Sequence, residues 1–151
     1  MKIAPPSPDA TQLLRTPEAA GIYQASDDAA RALFQAGPAA GFNVYRIDLG
    51  QARDAKSLHH ILARSLHFPD WYGANWDALA DCLADMSWNE ADGYLVILQR
   101  TEILQHADPS SFDALMEILK DTVMAWQEQK VPFWGLLTGD HPGLPQLGVR
   151  T

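Results

Sequence analysis

The residues Tyr94-Leu95-Val96-Ile97-Leu98 form an unbroken apolar run. A run with no polar alternation suits a strand buried on both faces, which is the environment of a parallel sheet. Residues 132–138, Pro-Phe-Trp-Gly-Leu-Leu-Thr, read the same way. Residues 43–49 alternate apolar and polar positions and are rich in β-formers, so they are expected to form a strand ended by Gly50. Between these strands lie helical patterns. Leu58, Ile61, Leu62 and Leu66 predict a helix over 54–65, stopped by Phe68-Pro69. Trp76, Leu79, Leu83 and Met86 predict the buried stripe of a second helix over 75–86. Phe112, Leu115, Met116, Ile118, Leu119, Val123 and Trp126 predict a long third helix over 109–129, with its cap region at Ser110-Ser111-Phe112-Asp113. The order strand, helix, helix, strand, helix, strand implies an α/β domain. Its core is a small three-stranded parallel sheet with right-handed crossovers and packed helices.

The flanks read differently. Residues 1–9 hold three prolines and are expected to be a flexible arm. Residues 21–25 are a candidate short strand. Ser26-Asp27-Asp28 then caps a helix carrying Ala29, Ala32, Leu33 and Ala36, which Gly37-Pro38 ends. The division is an N-terminal strand-helix extension over 1–41, a main domain over 42–139 and an irregular tail over 140–151. The extension is free to add an edge strand, guard a sheet edge or offer another interface.

A chain of 151 residues with 47% apolar content fits one folded domain. The net charge is −8 and the pI about 4.9, which argues against sequence-independent binding to nucleic acid or to an anionic membrane surface. The single Cys82 cannot close an intramolecular disulfide, so a reducing compartment suffices. There is no signal-like apolar segment and no run near the roughly 20 residues that span a bilayer. The expectation is a soluble cytoplasmic protein.

The segment 68–83 concentrates the chemistry. It places Trp71, Tyr72 and Gly73 directly before a helix bearing Asp77, Asp81 and Asp85. From Ser65 to Gln99 there is no Lys or Arg, while Asp70, Asp77, Asp81, Asp85, Glu90 and Asp92 all fall within that span. The helix aspartates are spaced i, i+4, i+8 and share a face. Like charges at i, i+4 cost a helix about 0.2–0.5 kcal/mol per pair. The macrodipole offsets some of this for Asp77, less for Asp81 and none for Asp85. Such a stripe beside aromatics suits a cationic partner. It also has a plainer reading as helix caps and a solvated face. Trp71 and Tyr72 could equally pack as a staple over the helix start. Gly73 is expected to take a positive φ or to allow a close approach.

Other chemistry is thin. His59, His60, His67, His106 and His141 lack metal-ligand spacing and read as structural or surface residues. Cys82 sits among acids that would raise its pKa, which disfavours a nucleophile. There is no phosphate loop and no nucleophile elbow. An acid/base or divalent-metal role for Asp77 and Asp81, as in a metal-dependent hydrolase, is the weaker alternative.

The stretch Pro69-Asp70-Trp71-Tyr72-Gly73-Ala74-Asn75-Trp76-Asp77-Ala78-Leu79-Ala80-Asp81-Cys82-Leu83 resembles, without a gap, the signature of the barstar family, intracellular inhibitors of barnase-type ribonucleases. The element order over 43–138 agrees with that fold. The resemblance implies a plug that inserts its second helix and the loop before it into a basic active site. It implies no enzyme activity, no cofactor and no metal. It assigns Trp71 to the loop aromatic that packs on the enzyme and matches Tyr72, Gly73 and Asn75 to the loop. It matches Asp77 and Asp81 to the helix aspartates, with Asp81 in the phosphate site facing Arg and His. The periphery departs from the family's best-known member. Ala80 replaces a tryptophan, Asp85 and Met86 replace a glycine and a tryptophan, and the last long helix has no carboxylate between Asp121 and Glu128. The implied partner is a barnase-like ribonuclease, or another basic toxin bound by the same acidic face.

Overall fold

The computed structural model describes residues 7–151. Four strands, β1 (Ile22–Ala25), β2 (Phe42–Asp48), β3 (Gly93–Gln99) and β4 (Phe133–Thr138), form one parallel sheet in the order β1-β4-β3-β2. The helices are α1 (Ala10–Leu14), α2 (Asp27–Ala36), α3 (Ala55–Ser65), α4 (Trp76–Asp85), α5 (Thr101–Ala107) and α6 (Pro109–Glu128). The three strands expected for the main domain pair in register, with Val96 beside both Tyr45 and Gly135. The strand of the extension adds a fourth by pairing along β4, Ile22 beside Gly135.

The sheet is covered on both faces, as the apolar run over 94–98 demands. Alternate residues of β3 and β4 point to opposite sides. Tyr94, Val96, Leu98, Phe133 and Leu137 pack with α3, α4 and α6. Leu95, Ile97, Trp134 and Leu136 pack with Leu13 and Leu14 of α1 and Leu33 of α2. The extension is therefore the second cover of the sheet. Ser26 caps α2 through the Ala29 N–H, as its position suggested.

The expected flexible arm over 1–9 meets the structure only in part, since residues 1–6 lie outside the described residues. Residues 7–9 are held. Asp9 caps α1 by accepting from the Gln12 N–H at 2.8 Å, and the Pro8 carbonyl accepts from the Arg150 N–H at 2.8 Å. The tail has no helix or strand but is anchored along β1. The Gln24 N–H donates to the Pro145 carbonyl at 2.9 Å, and the Leu147 N–H donates to the Gln24 carbonyl at 2.8 Å. These bonds close the β1 edge of the sheet. Among the described residues no helix is long and apolar enough to cross a membrane.

Candidate protein-binding site

Helix α4 is fixed by its inner face and displayed by its outer one. Leu79, Cys82 and Leu83 are buried, and Trp76 is half-buried against the same core. The C-terminal end is tied to α6, because the Trp126 indole Nε1–H donates to the Leu83 carbonyl at 2.8 Å. At the other end Asn75 accepts from the Ala78 N–H at 2.8 Å, a side-chain cap that satisfies one of the free first-turn donors. Met86, buried and left-handed at φ 49, closes the helix.

On the outer face Asp77, Asp81 and Asp85 are exposed, and Ala80 between them is half-buried. Among the described residues none of these aspartates is in an ion pair; the pairs present are Arg31–Asp28, Arg100–Asp48 and Arg150–Asp9. The helix therefore carries a row of uncompensated negative charge on a rigid support. Below it, burial pushes the Cys82 thiol up, with Asp85 and Asp81 adding to the effect, so the buried cysteine is no nucleophile.

The loop before α4 splits its two aromatics. Trp71 is 64% exposed and meets an edge of Trp88, ring centroids 6.4 Å apart. Tyr72 turns inward against Phe68 at 4.8 Å, and its hydroxyl hydrogen-bonds Nδ1 of buried His59 on α3. Burial raises the Tyr72 phenol well above its ordinary range and lowers the His59 imidazole below its own. The His59 ring also lies 4.7 Å from that of Trp76. So Trp71 is presented and Tyr72 is the peg that presents it.

Gly73 meets the second of its two expected roles. The positive φ of the loop belongs to Ala74, at φ 52, and not to Gly73. The close approach does hold at Gly73, where an added Cβ would lie 3.1 Å from the Asn75 side-chain nitrogen. The structure thus brings Trp71, Gly73, Asn75, Asp77, Ala80, Asp81 and Asp85 onto one continuous loop and helix surface, with Tyr72 beneath it. Sequence reasoning missed the supports. His59 sits three positions before Leu62 and seven before Leu66, a spacing that marks it as core-facing. Trp88, whose Nε1–H reaches the Leu66 carbonyl at 3.4 Å, has no local signal.

Among the described residues no three His, Cys, Asp or Glu side chains come together where they could hold a metal ion. Asp77 and Asp81 stand on an open helix surface, which supplies none of the converging oxygens a hard cation needs.

A family model described as Barstar (barnase inhibitor) matches residues 42–138. No curated protein matches the chain in sequence. Among solved structures, a chain of "Structure of Drosophila ORC bound to DNA" superposes with a TM-score of 0.56 at 15% identity. That alignment covers 87% of this chain and 35% of the other, and at such identity it speaks for the fold alone.

Proposed function

The chain belongs to the barstar family of ribonuclease inhibitors, not enzymes, and we propose that it acts by inserting α4 and the loop 70–75 into the basic active site of a barnase-like nuclease. The observation that carries this reading is the row Asp77, Asp81, Asp85, exposed and without ion pairs among the described residues, on a helix whose other face is locked into the core. A nuclease cleaving RNA must hold phosphates with Arg, Lys or His. A carboxylate on a rigid helix offers those groups the same planar acceptor, and Arg can take it bidentately. Asp81, at the centre of the row, takes the phosphate site. Asp77 flanks it, and Trp71 packs on the rim of the enzyme.

Opposite fields on the two proteins steer encounter, so association is fast and falls with salt. The half-buried Ala80 leaves room where a large aromatic would otherwise stand, so the target's matching surface is bulkier there than one shaped to a tryptophan. Action in the cytoplasm, where the cell's own RNA is exposed to any nuclease not yet exported, completes the proposal.

The test is a titration into a barnase-type ribonuclease with RNA cleavage as readout, at low and moderate salt. Stoichiometric inhibition that weakens with salt and is lost on Asp81→Ala supports the plug. Inhibition that survives Asp77→Ala and Asp81→Ala together sinks it.

A further inference from the structure

We propose that the free edge of β2 is a second docking surface, opposite in charge to α4, that takes an extended acidic peptide segment as an added strand. The backbone places the open groups. The Leu49 N–H donates to the Gln99 carbonyl at 2.8 Å, so Leu49 and the residues alternating with it, Ile47, Tyr45 and Asn43, face β3. Val44, Arg46 and Asp48 turn their N–H groups the other way. Phe42 has the same parity, and its N–H is already taken by the Gly37 carbonyl at 3.0 Å. For the next three, no backbone partner exists among the described residues. The opposite edge is closed by the tail at Gln24, so β2 is the side on which the sheet can grow.

The edge lies in a groove. A depression of about 570 Å³ runs along Val44 and Arg46, between Phe34 of α2 on one side and Ser65 and His67 on the other. It meets, at Ser65, a second depression lined by His60 and Arg64. Neither depression is lined by an Asp or Glu, although the chain has 19 acidic and 11 basic residues. Asp48, the one acid of β2, is engaged by Arg100 through two bonds of 2.8 and 2.6 Å. The Arg46 guanidinium lies over the Phe34 ring, 5.1 Å from its centroid, which holds it at the groove.

Charge selects the occupant. A second copy pairing edge to edge would set the basic residues of α3 against their own counterparts, and each copy carries a net charge of −8. A segment from another protein, with carboxylates on alternate residues and small apolar residues between, sets its carboxylates on one face of the added strand, where they meet Arg46 with the opposite sign. Its backbone meets the open ladder.

The probe is an acetylated, amidated six-residue peptide alternating Glu and Val, added to the intact protein. Amide exchange read by NMR should slow at least tenfold at Val44, Arg46 and Asp48. Affinity, read by fluorescence anisotropy, should fall at least tenfold with Arg46→Glu and stay unchanged with Asp81→Ala. The same peptide N-methylated at alternate residues, or carrying Lys for Glu, should not bind. These peptide controls use the unaltered protein and stand even if Arg46→Glu misfolds. Unslowed exchange at the three amides with millimolar peptide overturns the proposal. So does equal binding of the Lys or N-methylated peptide. A dimer in sedimentation with those amides protected before any peptide is added gives the edge to a second copy instead.

Discussion

The Tyr72 hydroxyl and Nδ1 of His59 are hydrogen-bonded beneath the loop that displays Trp71, joining α3 to the start of α4 across 13 residues of chain. Both groups are held in their neutral forms by burial. A buried imidazole whose pKa is depressed resists a proton that the unfolded chain accepts near pH 6.5. The unfolded state then binds more protons, and stability falls as pH drops through about 6.5 towards the lower folded value. His141, buried and bonded to Thr101 at 2.7 Å, is lowered by burial too, with Glu102 and Asp140 pulling the other way. The urea midpoint should therefore be lower at pH 5.5 than at pH 7.5. His59→Gln should remove part of that difference, and an unchanged pH slope in the variant would clear His59 of the role. Tyr72→Phe leaves the imidazole nitrogen buried without its partner, at a cost of about 1–3 kcal/mol.

Asp81→Ala should separate binding from stability. In the barnase–barstar complex itself, couplings between close charges measure about 1.5–7 kcal/mol, and that complex sets the scale used here. Affinity for the nuclease should drop by about 2–5 kcal/mol on Asp81→Ala and by less on Asp85→Ala, which lies nearer the end of α4. The free protein should gain slightly. Removing Asp81 relieves like-charge contacts with Asp77 and Asp85 at i±4, each about 0.2–0.5 kcal/mol. Isothermal titration and urea unfolding on the same samples check both signs. Equal, negligible losses of affinity in the two variants would remove the plug.

Much of this was legible because the signals were dense. The unbroken run over 94–98 and the i, i+3, i+7 stripe of α4 state their own environments, and the aspartates share a face by spacing alone. What escaped was short or distant. Helix α5 has seven residues and starts from Arg100 in a left-handed conformation with no side-chain cap, so neither period nor cap announces it. Helix α1 has five residues and is held by packing under the sheet rather than by its own propensity. In the loop, glycine is the default carrier of positive φ, yet Ala74 takes it, and no local pattern marks an alanine for that role. The partners of His59 and Trp88 lie 13 and 22 residues away, beyond any local pattern.

Asn75→Ala should cost about 1 kcal/mol of stability, the usual worth of a side-chain cap. It removes the acceptor at 2.8 Å from the Ala78 N–H. The loss frays the first turn of α4, which carries Asp77. Affinity should therefore fall by more than an exposed polar contact explains. Asn75→Asp keeps an acceptor and adds charge favourable to the helix start, so it should restore stability. If both variants unfold alike, the cap contributes nothing.

Trp126→Phe should loosen the far end of the same helix. The indole Nε1–H satisfies the Leu83 carbonyl, one of the last-turn acceptors that α4 cannot pair internally. The ring also packs on Tyr94, centroids 5.0 Å apart. Phenylalanine keeps part of that contact, loses the bond and leaves a void where the larger ring lay. The expected cost is about 1–3 kcal/mol, read as a lower urea midpoint with an unchanged slope. Because the defect sits beneath Asp85 and Met86, amide exchange should speed up at the C-terminal turn of α4 and not at its capped start. Nuclease affinity should fall less than on Asp81→Ala, since Asp81 itself is untouched. A loss as large as that of Asp81→Ala would mean that the tilt of the whole helix, set through Trp126, governs recognition more than any single carboxylate.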